Sequence, residues 1–136
     1  MREMRRARQK LPQDEAWRLL REGSEGVLSL VDAEGLPYGV PLNYVLVGET
    51  LYFHSALAGR KIDAIESCDR ASFCVLCDTT DVPAEFTTYF CSVIAEGRMR
   101  VVEDDEEKRS TLYALGLKYN DDTAACEAEV TSGIDR

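Results

Sequence analysis

The chain has 136 residues, 30% of them charged, and a formal net charge of −9 at pH 7. This length predicts one domain that buries roughly two-thirds of its unfolded surface and folds without metal or disulfide staples. No run of 18 apolar residues occurs, and the charged N-terminus lacks the apolar segment of a secretory signal, so we expect a cytoplasmic protein that does not cross a membrane.

The charge is unevenly distributed along the chain. Residues 1–10 have a balance of +4, which leaves −13 for residues 11–136. A domain this acidic is a poor nucleic-acid binder, because contacts to phosphate dominate such affinity. We therefore expect the basic arm 1–10 to be solvated or to pack against the acidic surface of its own domain.

The five cysteines are an odd number in a chain without an export signal, so they are interpreted as reduced thiols. Cys74 and Cys77 form a C-x-x-C, for which redox or zinc chemistry is the alternative interpretation. They lie in a strand-like run, however, where residues three apart point to opposite faces. No second C-x-x-C is present, and we expect no metal site.

The first elements follow from periodicity and turn residues. A helix is predicted over residues 12–22, with Pro12 in its first turn, and a strand over residues 26–32. A turn then leads into a long strand over residues 36–47. Because Pro37 and Pro41 cannot donate to a ladder, this strand should lie at an edge or carry a bulge.

The remaining elements continue a meander. The pattern predicts, in order, a strand over 51–55, a short helix with Ile62 and Ile65 inward, a strand over 71–77, a strand over 88–102 bent at Gly97, and a helix over 103–119. The loop 78–87 is long enough to be functional. The acidic stretch 120–136 has no periodicity.

This order of elements favours a mainly β fold with flanking helices, an antiparallel curled sheet rather than a parallel α/β sheet. The chain lacks the glycine motifs of dinucleotide folds and P-loops, so phosphate binding of those two types is excluded. It also lacks G-x-S-x-G, and its one histidine has no acid at a recognisable spacing, so a hydrolytic triad is unsupported.

One junction between strand and helix carries the residues of an anion site. His54 and Ser55 end the third predicted strand, and Gly59, Arg60 and Lys61 begin the short helix. The first turn of a helix presents unpaired N–H groups and a positive dipole, so two cations there are unfavourable unless an anion is bound. A phosphate would accept hydrogen bonds from Ser55, from Arg60 and from the backbone.

Two alternatives stay open at this junction. Arg60 and Lys61 are also compatible with solvated surface residues. His54 is either a neutral partner packed beside the ligand or a proton donor, since histidine titrates near neutral pH.

Five segments in the same order resemble the FMN-binding split-barrel superfamily. Within it, the chain is similar to the pyridoxamine 5'-phosphate oxidase-like branch that contains the 5-nitroimidazole resistance proteins. The resemblance covers about residues 2–120 and is carried by GVLSLVD, PYGVPLNYV, LYFHSALAGRKID, SFCV and TTYFCSVIAEGRMRVVEDDEEK, followed by LKY.

The resemblance implies a single split-barrel domain over residues 1–136 that forms a homodimer with FMN at the subunit interface. In such proteins the strand–loop–helix element holds the flavin phosphate and the PLNY strand passes along the ring. The implied cofactor residues are Pro41, Leu42, Asn43, His54, Ser55, Arg60, Lys61 and Ser92, with His54 also the implied catalytic residue. Family members usually continue with a further strand, so we expect either a truncated chain or an edge covered by the partner.

The implied function is an FMN-dependent oxidoreductase that passes electrons from NAD(P)H, or from a separate reductase, to a small oxidised organic molecule, with nitroimidazole-type reduction one option. The alternative is a flavin-binding storage or sensor module without turnover. Pyridoxamine phosphate oxidation is disfavoured because no second basic cluster is recognisable in the sequence. Haem binding is disfavoured because the one histidine is already assigned to a position near the flavin phosphate.

Overall fold

The protein is described here by a computed structural model covering residues 2–5, 10–54, 58–82 and 87–120, without the side chains of residues 77–90. These ranges contain three helices and six strands. In chain order they are α1 (Gln13–Glu22), β1 (Glu25–Val31), β2 (Pro37–Asn43), β3 (Val45–Val47), β4 (Thr50–Tyr52), α2 (Arg60–Ser67), β5 (Arg70–Val82), β6 (Thr87–Arg98) and α3 (Asp105–Tyr119).

The strands form two antiparallel sheets. Four strands pair in the order β2-β1-β5-β6, and β3 pairs with β4 in a separate two-stranded sheet. Val27 lies at the centre of the larger sheet, opposite Pro41 on one side and Cys74 on the other. Within the described ranges the sheet does not close, and the predicted class, a mainly antiparallel sheet flanked by helices, is confirmed.

One face of the larger sheet forms the core. Along β1 every second residue is buried, and Leu28 and Leu30 pack against Phe73 and Val75 of β5. β1 and β5 approach closely at Gly26, where an added Cβ would lie 2.6 Å from the carbonyl oxygen of Cys74. A side chain at position 26 would therefore push the two central strands apart.

The three helices and β1 are confirmed within a residue or two. Helix α1 follows Pro12, β1 and α2 lie where periodicity placed them, and the side chain of Asp104 accepts from the N–H of Glu107 as the N-cap of α3. Strand β2, with Pro37 and Pro41, lies at the edge of the larger sheet, as the missing proline donors predicted.

Five predictions are wrong. The strands predicted over 51–55 and 88–102 end earlier, at Tyr52 and Arg98. The strand over 36–47 breaks at Tyr44, so β4 pairs with β3 in its own sheet and the expected meander does not form. The loop 78–87 is strand up to Val82 and again from Thr87, while 83–86 lie outside the description. Gly97 pairs regularly with Ala71, and the irregularity in this ladder lies between Leu76 and Thr79 instead.

Among the residues described, no helix is both long and apolar enough to cross a membrane.

Candidate functional site

Helix α2 starts from a glycine with an unusual backbone. Gly59 has φ of +132°, a value that L side chains rarely adopt, and its carbonyl accepts the first helical hydrogen bond from Asp63 at 3.0 Å. Ala64, fully buried, fixes the helix against the core. The predicted junction therefore exists, with Arg60 and Lys61 as the first two helical residues.

The guanidinium of Arg60 is paired within the chain. It donates to a carboxylate oxygen of Asp32 at 2.8 Å and lies 4.1 Å from the centre of the Tyr38 ring. Its side chain is still 55% exposed. The cation that looked misplaced at a helix N-terminus thus has an intramolecular partner, which sequence reasoning missed.

Asp32 is the buried acceptor that holds this corner. It is 7% exposed, and its other oxygen accepts from the N–H groups of Glu34 at 3.0 Å and Leu36 at 2.9 Å. The hydrogen bond from Arg60, followed by that from Leu36, lowers the pKa of this carboxyl below its ordinary 3.8. One carboxylate therefore joins the β1–β2 turn to the start of α2.

Lys61 points elsewhere, into a cavity of about 600 Å³. Leu42 of β2 and His54, two residues beyond β4, line the same cavity. Three of the predicted site residues, from three separate elements, thus meet around one space. The apolar part of its wall consists of Leu28, Leu51, Phe53, Ile62, Ile65, Met99, Val101, Val102 and Leu112.

One side of the cavity is basic. Arg98, Arg100 and Lys108 line it, from the end of β6, the connection that follows and helix α3. The lining includes one carboxylate, Asp69, which lies 4.0 Å from Arg98. Sequence reasoning missed this second basic cluster, whose absence was the ground for disfavouring pyridoxamine phosphate oxidation. Its members come together only when α3 folds back onto β4.

A hydrogen-bonded triad holds that side in place. The hydroxyl of Tyr52 and the guanidinium of Arg100 both donate to one oxygen of Glu107 at 2.8 Å. The bond from Arg100, then that from Tyr52, lowers the pKa of Glu107, and Glu107 in turn raises the pKa of Tyr52. β4, α3 and the β6–α3 connection are therefore linked at the cavity wall.

Three other predicted residues lie on the opposite face of the larger sheet. Pro41 and Asn43 are exposed there on β2. Ser92 of β6 is half-buried and pairs with Leu76 of β5. β1 and β5 lie between β2 and β6, so Asn43 on β2 and Ser92 on β6 are roughly 14 Å apart. Arg60 contacts Tyr38, which lies roughly 17 Å along β2 from Asn43. Only an elongated ligand would therefore reach both Arg60 and Asn43.

This opposite face, which we call the outer face, is also apolar. Val27 is 44% exposed, Leu76 60% and Ile94 51%, and in the register of the sheet they surround Cys74. Exposed apolar side chains in one contiguous patch are typical of interaction surfaces. Within the part of the chain described, the predicted site therefore divides among the cavity, the outer face and the Arg60 corner, while Ser55 lies outside that part.

The Asp32 corner makes a prediction about acid stability. Because its pKa is lower in the folded state, Asp32 stabilises the fold above its unfolded pKa, and that contribution is lost as pH falls through the folded pKa. We expect Asp32→Asn to lower the melting temperature at pH 7. In thermal melts, the difference in melting temperature between variant and wild type should become smaller as pH falls from 5 to 3. Glu49→Gln, in an exposed turn, is the control; an equal loss from Asp32→Asn at every pH would contradict this role.

Comparison with known proteins places the fold. Among curated proteins, none matches the sequence of this chain. A conserved hypothetical protein from Mycobacterium tuberculosis superposes with a TM-score of 0.83 at 18% identity, covering 98% of this chain and 80% of the other. A protein from Bacteroides thetaiotaomicron assigned to 5-nitroimidazole antibiotic resistance gives 0.72 at 24% identity, covering 83% and 69%.

A FAD- and haem-binding protein from Mycobacterium smegmatis superposes with a TM-score of 0.69 at 22% identity, covering 85% of this chain and 58% of the other. At these identities the similarity shows a shared fold. The sequence model of the pyridoxamine 5'-phosphate oxidase family matches residues 12–133, nearly the whole chain. This chain therefore belongs to the pyridoxamine 5'-phosphate oxidase family and has its FMN-binding split-barrel fold.

Proposed function

We propose that this protein is an FMN-dependent oxidoreductase that passes electrons from NAD(P)H to a small oxidised organic molecule, with nitroimidazole-type reduction one form of the activity. One observation carries the proposal: Leu42, His54 and Lys61, from three separate elements, line one cavity beside the first turn of α2. When bound, FMN would supply the hydride and electron transfer that amino-acid side chains cannot perform.

The residues present fit a flavin nucleotide. A volume of about 600 Å³ lies within the range of ligand sites, roughly 300–1,000 Å³, and the apolar wall suits a planar ring system. Lys61 would hold the phosphate together with the free N–H groups of the first helical turn. The exposed part of Arg60 would add a second cation while Asp32 keeps its orientation.

The outer face supports a second part of the proposal, a homodimer with the flavin at the interface. Val27, Leu76 and Ile94 would be covered by a second copy. Pro41, Asn43 and Ser92 lie on the same face, across the sheet from the cavity of their own subunit, and would then border the flavin that the second copy holds. One subunit leaves these residues open to solvent or half-buried, which is what an interface site requires.

A flavin-binding storage or sensor module without turnover is the second candidate. The fold it shares with a FAD- and haem-binding protein supports this alternative. The two functions differ in one assay. If the protein is an FMN-dependent oxidoreductase, the purified protein is yellow, releases FMN on denaturation, and loses its colour when NADPH is added anaerobically. Colour that persists under NADPH would favour storage, and a colourless protein that ignores added FMN would reject both.

Lys61→Ala tests the phosphate contact. A charge-assisted hydrogen bond is worth about 1.5–3 kcal/mol, so its loss should weaken FMN binding roughly 10- to 150-fold. Fluorescence titration with FMN measures this change. Lys10→Ala removes the same charge in the basic arm and should leave the affinity unchanged; equal affinities of both variants would remove Lys61 from the site.

His54→Ala separates binding from catalysis. Because general acid–base assistance contributes typically 10²–10⁴-fold, we expect normal FMN content with turnover lowered toward that range. The comparison needs two readouts, bound FMN by absorbance and substrate reduction under anaerobic NADPH. Loss of FMN from the variant would instead make His54 a cofactor-binding residue.

Ile94→Glu tests the homodimer. A charge in the middle of the outer face, where Ile94 is 51% exposed, should convert a dimer to a monomer because a buried carboxylate would lack a partner. Analytical ultracentrifugation gives the mass. Val47→Glu, a similarly exposed position (45%) on β3 outside this face, should stay dimeric. A wild-type protein that sediments as a monomer would refute the dimer.

A further inference from the structure

We propose that the basic side of the cavity, Arg98, Arg100 and Lys108, binds the acid group of a small organic anion whose apolar body lies deeper in the same cavity. The ligand class is thus an amphipathic carboxylate or phosphate. As a binding site this inference stands alone. It rests on the proposed function only in naming the ligand as the molecule that exchanges electrons with the flavin.

The charges that line the cavity favour an anionic ligand. The chain as a whole carries −9, yet the cavity lining holds four cationic side chains and one carboxylate, Asp69. Asp69 lies at the limit of ion-pair distance from Arg98, at 4.0 Å. Lys108 has no ion pair with any residue that the structure describes. Charges of one sign in a cleft with apolar walls focus the field, which attracts a ligand of opposite sign.

Hydrogen bonds to Glu107 hold the basic side in place. Glu107 accepts from Arg100 and Tyr52 at 2.8 Å each, and this carboxylate ties the connection after β6 to β4 across the cavity wall. Glu107 itself is not part of the lining. It fixes Arg100 in an ion pair that offsets much of its charge. Lys108, one residue further along α3, lines the same wall and is the cation of this side that has no ion pair with a described residue.

The apolar residues near the basic side indicate the body of the ligand. Met99, Val102 and Leu112 belong to the same connection and helix as Arg100 and Lys108, and they line the cavity as well. An inorganic anion would leave these apolar side chains facing water, whereas a hydrocarbon or aromatic body would cover them. The combination of cations and apolar wall favours an organic acid over free phosphate.

Isothermal titration of the FMN-saturated protein with octanoate tests the site, with octan-1-ol as the neutral probe of equal chain length. We expect octanoate to bind more than tenfold tighter than octan-1-ol, because only octanoate has a charge for the basic side. Lys108→Ala should weaken octanoate about tenfold and leave octan-1-ol unchanged. Arg109→Ala removes the same charge from the exposed neighbouring position of α3 and should change neither ligand.

Three results would overturn the inference: no binding of octanoate, equal affinities in the Lys108→Ala and Arg109→Ala variants, or displacement of octanoate by FMN. The third would mean that the basic side serves the flavin. Repeating the titration without FMN separates this inference from the proposed function. Octanoate binding that depends on Lys108 in a protein that takes up no FMN would keep the anion site and reject the flavoenzyme.

Discussion

The arrangement depends on Tyr44, the single residue between β2 and β3. Its ring is completely buried, with an edge-on contact to Phe73 at 4.9 Å, and its hydroxyl donates to the carbonyl of Leu20 in α1. Its N–H donates to the hydroxyl of Tyr119 at 3.1 Å, and its carbonyl accepts from Lys118 at 2.8 Å. The break in the strand is thus the point where both long helices are attached to the sheet.

The cavity follows from that break. Because the chain leaves the larger sheet at Tyr44, β3 and β4 form a separate ribbon, and Tyr52 and Phe53 face a space instead of continuing the ladder. Helix α3, anchored at its C-terminal end by the contacts to Tyr44, closes the other side. The triad around Glu107 links the N-terminal end of α3 to Tyr52. The cavity therefore arises between the β3–β4 ribbon and helix α3, which is attached at both of its ends.

Much of the fold was predictable, because the helices and β1 have clear periodicity and the prolines of β2 mark an edge. The break at Tyr44 was not, because the apolar alternation of Tyr38, Val40 and Leu42 continues through Tyr44 and Leu46, and no residue between them signals the end of a strand. The start of α2 at Arg60 and Lys61 was predicted correctly, whereas phosphate binding at that start stays a prediction. Asp32 was missed because its sequence context indicates only a turn, and Lys108 because it becomes a neighbour of Arg100 only in three dimensions.

The central claim is that the start of α2 grips the phosphate of a flavin nucleotide. Parallel titrations with FMN and riboflavin test it most directly, since the two ligands share the ring and differ in the phosphate. We expect FMN to bind at least about tenfold tighter than riboflavin, with the difference shrinking as salt is raised, because the phosphate contacts are charge-assisted. Equal affinities for the two ligands would contradict it.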